Sequence, residues 1–188
     1  MTGRKTSSAS AWDKSKPGLE TRLKRVTAVT SLLALGVTFE LTSLYTEEMK
    51  TEISEWEDGR RVAIGVLPKG PSITIEKRDN RLYLLGQGIR EAKLSILFKN
   101  LDSALLIFTG QLGAANAVAE NRIIIHGDNS EAMQATRAMA IVQTYLFPGL
   151  ILNKTFKRPP KLTGKQLAIK GKIMALLAPK LAAAAFSS

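Results

Sequence analysis

A chain of 188 residues accommodates one compact domain with tails, and its 45% hydrophobic content excludes a wholly disordered protein. With no cysteine and a single histidine, it offers no disulfide scaffold, no thiol nucleophile and no cysteine-built zinc site. Its 27 basic against 16 acidic residues, a formal net charge of +11, would by themselves nominate nucleic acid or an anionic membrane as partner.

That charge is unevenly placed. Residues 1–25 hold seven Lys/Arg and two acids, and residues 153–188 hold eight Lys/Arg and no acid. Between them, residues 26–152 are slightly acidic, with 12 basic and 14 acidic side chains. The basic excess therefore belongs to the two ends. Residues 1–18, rich in Ser, Thr, Lys and Gly, read as a flexible basic arm.

From Leu19 to about Ile53 the chain has no proline and one internal glycine, Gly36, and predicts helix. The apolar run Val26–Val37 behind Arg22, Lys24 and Arg25 imitates a signal sequence. Its polar leader is long, however, no small-x-small cleavage site stands out, and Glu40 interrupts the run. The expectation is a helix covering the core of a cytoplasmic protein. A period of two then takes over. Val62, Ile64 and Val66 alternate, Pro68 to Pro71 break the chain, and Ile73, Ile75 and Lys77 alternate again. Asp79-Asn80 marks a tight turn before Leu82–Leu85, and Leu94, Ile96 and Phe98 alternate with polar residues. These segments predict four antiparallel strands in a meander.

Helical spacing returns at Leu101, Ala104, Leu105, Phe108 and Leu112, with Asn100 as N-cap and Thr109-Gly110 as terminator. A short Ala-rich turn precedes a fifth strand, Arg122–His126. Asp128 with Glu131 opens a long helix whose apolar stripe is Ala135, Met139, Val142 and Leu146. Residues 161–188 intersperse Lys161, Lys165, Lys170, Lys172 and Lys180 among apolar residues, as in a cationic amphipathic helix, with Gly164, Gly171 and Pro179 as weak points. This pattern leaves open a membrane anchor, a lid or a docked helix. The whole predicts an α+β fold, a five-stranded and mostly antiparallel sheet with helices on one face.

A positive case for catalysis is lacking, and no cofactor is called for. His126, the lone imidazole, falls at a strand end, and Gly86-Gln87-Gly88 lacks the third glycine and the helix of a dinucleotide loop. The acidic run from Glu47 to Asp58 reads as a solvated helix face. Specific nucleic-acid binding needs basic residues on a folded face, whereas the folded middle is acidic, so nucleic acid is a poor fit.

The stretch from Leu105 through Leu112, then Arg122-Ile123-Ile124-Ile125-His126-Gly127-Asp128, then Ala132-Met133, resembles the sterol carrier protein family of sterol-binding, non-specific lipid-transfer domains. The order and spacing follow that family over a core of residues 73–146 within a domain of residues 19–160. Two departures stand out: Glu120-Asn121 where the family has a glycine-containing turn, and the long basic, apolar tail. The resemblance implies an apolar tunnel between sheet and helices that takes a sterol, fatty acid or acyl-CoA. It places Leu94, Ile96, Phe98, Leu105, Phe108, Met133 and Met139 on the tunnel side. The function expected is non-enzymatic lipid binding or transfer, with Lys161, Lys165, Lys170, Lys172 and Lys180 meeting an anionic membrane. The alternatives are a membrane-peripheral or protein-interaction module with a filled core, and a tail-mediated, non-specific nucleic-acid binder.

Overall fold

The computed structural model describes residues 19–149, 151–152 and 162–186. The 1–18 arm and Lys161 lie outside the described residues. Helix α1 (Leu19–Tyr45) and helix α2 (Glu47–Ser54) precede strands β1 (Arg61–Val66), β2 (Ser72–Arg78), β3 (Arg81–Gln87) and β4 (Leu94–Phe98). Helices α3 (Leu101–Phe108) and α4 (Ala114–Ala119) follow, then β5 (Ile123–His126), α5 (Asn129–Leu146) and a last helix, α6 (Gly164–Phe186). The helix expected over residues 19–53 is interrupted at Thr46, whose hydroxyl accepts from the Met49 amide and caps α2. Asn100 and Asp128 cap α3 and α5.

The fold is α+β, built on a five-stranded sheet of order β3-β2-β1-β4-β5. Three pairs are antiparallel, but β1 and β4 run parallel, so the expected four-strand meander is corrected to a three-strand one. Alternation of apolar residues identifies a strand without naming its neighbour. Asp79 and Asn80, both at positive φ (47° and 55°), close the tight β2–β3 hairpin. Residues 88–93 then carry the chain back over the outer face. The Gly88 amide donates to the Ser72 carbonyl at 2.8 Å, the Thr74 hydroxyl donates to the Gly88 carbonyl at 2.9 Å, and the Arg90 amide donates to the Thr74 hydroxyl at 3.0 Å. Delivered to the free side of β1, β4 aligns Leu94, Ile96 and Phe98 with Val62, Ile64 and Val66. All six side chains are buried on the helix-covered face.

Across that face lies α1. The Leu82 amide of edge strand β3 donates to Ser43 Oγ at 3.0 Å, and the Leu84 amide donates to Glu40 Oε1 at 3.0 Å. Glu40, an interruption in the apolar run, is thus the group that satisfies an exposed sheet edge. By length and composition α1 could cross a membrane, and 61% of its most apolar window is buried within the fold. Helix α6 continues through Pro179 and docks on α1 and α5, with Ile173 fully buried among Val37, Leu41 and Tyr145.

Gly36 is where α1 comes closest to the sheet. A β-carbon there would lie 2.7 Å from Leu84 Cδ1 and 3.1 Å from Ile73 Cδ1. Gly36→Val should therefore overpack the interface and lower stability by about 1–3 kcal/mol in urea unfolding. An unchanged midpoint would show that the contact is slack.

On the outer face Glu76 is buried between two guanidinium groups. Hydrogen bonds first from Arg78 and then from Arg61 hold its carboxyl down to about 2 from the usual 4.5. The stabilisation is complete above pH 4.5 and is lost as pH falls toward about 2. Stability measured across that window should drop in the native chain, and the drop should shrink in Glu76→Gln.

Candidate functional site

An apolar cleft of about 180 Å³ opens between α1, α3 and α5. Its α1 wall is Ser31, Ala34 and Leu35, spaced i, i+3 and i+4 so that all three lie along one side of the helix. The small side chains of Ser31 and Ala34 are what leave the space. Ile107 and Phe108 close it from α3, and Met139, Gln143 and Leu146 close it from α5, with Phe147 just past that helix. Among the described residues that line it, none is charged. Gln143 is 1% exposed, and its Oε1 has no hydrogen-bond partner among the described residues.

The residues expected at a tunnel separate into three groups. Phe108 and Met139 line the cleft. Leu94, Ile96 and Phe98 do not; they are buried in the core between sheet and helices, where Phe98 meets Phe108 edge-on at 5.1 Å. Leu105 is half-buried on α3 outside the cleft, and Met133 is 65% exposed at the first turns of α5. The expectation for Met133 is corrected, because the buried stripe of α5 runs through Ala132, Ala135, Met139 and Val142. One residue beyond Ala132 is a rotation of about 100°, which turns Met133 to solvent. This cleft therefore lies between helices, whereas Leu94, Ile96 and Phe98 are packed into the core between sheet and helices.

Ser31, Ala34, Leu35, Ile107, Gln143 and Phe147 escaped the sequence reading. A signal existed for Gln143, which falls with Met139 and Leu146 at i, i+4 and i+7 as a polar residue within an apolar stripe. None existed for the α1 wall, since missing volume is a property of three helices together.

Of the expected membrane lysines described on α6, Lys170 is held by the protein, Lys172 and Lys180 touch it while staying exposed, and Lys165 is exposed. Lys170 Nζ donates to the Thr144 carbonyl at 2.7 Å and to the Phe147 carbonyl at 2.5 Å, and burial lowers its pKa. This corrects its assignment to a membrane surface: it clasps the C-terminal end of α5, where cations are favoured. Lys172 lies 4.0 Å from the Tyr45 ring centroid, and Lys180 pairs with Glu40 at 3.6 Å. The Gln166 amide donates to Glu48, which also accepts from Tyr145. Burial first, and then Glu48, push the Tyr145 hydroxyl up to about 12, so it stays a neutral donor.

No family model matches the chain, and no curated protein does. Solved structures similar to it include several sterol carrier protein domains. A conserved hypothetical protein from Thermus thermophilus, described there as possibly a sterol carrier protein, is 18% identical, with 62% of this chain and 87% of that chain covered at TM-score 0.46. A sterol carrier protein 2 crystal structure is 16% identical, covering 63% and 95% at TM-score 0.42. The apo sterol carrier protein 2 of Yarrowia lipolytica is 11% identical, covering 62% and 91% at TM-score 0.42. With TM-scores below 0.5 the likeness is one of outline, and ligand chemistry has to be read from the cleft itself.

Replacing Lys170 by Met removes two charge-assisted hydrogen bonds at the α5–α6 contact. Such bonds contribute about 1.5–3 kcal/mol each before the loss of burial strain is set against them. Hydrogen exchange in residues 164–186 should quicken at least tenfold while the sheet amides keep their protection. Equal quickening in both regions would mean that α6 does not open separately.

Proposed function

We propose that the protein binds a hydrophobic lipid, non-enzymatically, by burying part of its chain or ring system in the cleft between α1, α3 and α5. The observation that carries this reading is the cleft: uncharged among the described residues that line it, walled by Leu35, Ile107, Phe108, Met139 and Leu146, and kept open by the small residues at 31 and 34. Met139 suits a wall that must adapt to its occupant. At roughly 30 Å³ per water-sized group the cleft takes about six methylenes. At ~0.8 kcal/mol each they contribute on the order of 5 kcal/mol before association costs. The remainder of a longer chain then lies outside the cleft or parts the helices.

The approach belongs to the first turns of α1. Leu19, Leu23 and Val26 are 77%, 62% and 63% exposed, and Ala34 lies on the same helical face three turns beyond Leu23. Exposed Arg22 and Arg25 flank this apolar stripe. An apolar stripe with basic flanks suits an anionic membrane surface, at about 1 kcal/mol for each nearby Lys or Arg. The sequence resemblance to lipid-transfer domains points the same way, and the reading places the protein in the cytoplasm, at the membrane face.

Ala34→Phe, which sets a ring in the cleft, tests the reading. Binding of the uncharged apolar dye Nile red should weaken at least tenfold while far-UV circular dichroism is unchanged. A solvent extract of the native protein, examined by mass spectrometry, should contain lipid that the variant lacks. If the native protein yields no lipid and binds no Nile red, the cleft is not a lipid site.

A further inference from the structure

We infer that the cleft selects a ligand whose head group is an uncharged hydrogen-bond donor, a hydroxyl received by Gln143 Oε1, over a carboxylate on the same chain. This rests on the lipid-binding reading and adds the head-group chemistry.

Gln143 is 1% exposed and lines the cleft, and its Oε1 is buried without a partner among the described residues. A buried acceptor left unpaired is rare in native interiors and marks a group that is satisfied by something else. Its neighbours in the wall are apolar apart from Ser31, whose hydroxyl belongs to the same cleft. A ligand hydroxyl can donate to Gln143 and has lone pairs left to accept from Ser31. A carboxylate has no proton to give and would meet an acceptor with an acceptor. Nor do the described residues that line the cleft include a cation to receive it. Among the described residues, the ammonium at this end of α5 is Lys170, which already donates to the carbonyls of Thr144 and Phe147. Gln143 and Leu146 occupy the last turn of α5, where the partial negative charge of the helix end disfavours an anion further.

The experiment is competition against a bound apolar dye, Nile red, by three ligands of one chain length: decanol, ionised decanoate and decyl methyl ether. The ether accepts hydrogen bonds but donates none. Native protein should bind decanol at least tenfold more tightly than either of the others. In Gln143→Leu the decanol affinity should fall about tenfold to the level of the ether, with the ether unchanged, and the variant should melt at or above the native temperature. Gln143→Met, closer in shape, serves if Gln143→Leu does not fold. Decanoate or ether binding as tightly as decanol in the native protein overturns the inference, as does an alcohol preference that survives loss of Gln143, and in both cases the lipid cleft stands. Displacement by none of the three overturns the cleft reading together with this one.

Discussion

The arrangement depends on a single helix lying against a sheet edge. Two backbone amides of β3 would be unsatisfied donors at the rim of the sheet, and α1 answers them with Ser43 and Glu40, one helical turn apart. Gly36, one turn further back, lets the helix backbone settle against Leu84 and Ile73. Polar groups fix the register of α1 along β3, and the missing side chain sets its distance. With α1 fixed at that end, its other faces become the platform on which α3, α5 and α6 pack.

The cleft follows from that placement. Where α1 presents Leu32 and Leu33, the space against its neighbours is filled and joins one core. Where it presents Ser31 and Ala34, facing Phe108 and Met139, large side chains meet small ones and a gap remains. Filling such a gap with a larger side chain would bring more apolar contact, so an open cleft with the buried, unpaired amide oxygen of Gln143 at its wall runs against what packing alone favours. Departures of this kind concentrate at sites that serve something other than stability.

Much of this architecture was legible in the residues. The five strands, the caps at Asn100 and Asp128 and the long α5 each follow from local period and local hydrogen bonding, which the sequence carries directly. The parallel seat of β4 was not legible, because it is decided by a loop crossing the outer face and pinned through Thr74. Phe108 and Met139 were reachable as inward residues of amphipathic helices. Leu94, Ile96 and Phe98 are inward too, but inwardness does not distinguish a filled layer from a hollow one, since the difference is the summed volume of several elements. Met133 was misread by one position on a helix, which is enough to move a side chain from core to solvent.

The basic tail shows how far charge in a sequence differs from charge on a surface. Among the described lysines of α6, Lys170 is held by two carbonyls, while Lys172 against an aromatic face, Lys180 beside Glu40 and Lys165 are all exposed. Glu40 thereby links the edge of β3 to α6 through one carboxylate. Part of the net +11 is therefore internal attachment, holding the last helix to the α1 and α5 surfaces next to the cleft. At the other end of the fold, exposed Arg22 and Arg25 stand beside exposed Leu19, Leu23 and Val26 on the face of α1 that runs down to Ala34. Charge and apolar surface converge on the helix that already sets the sheet edge and the wall of the cleft. A surface contact at its first turns would bear directly on the packing that keeps the cleft open.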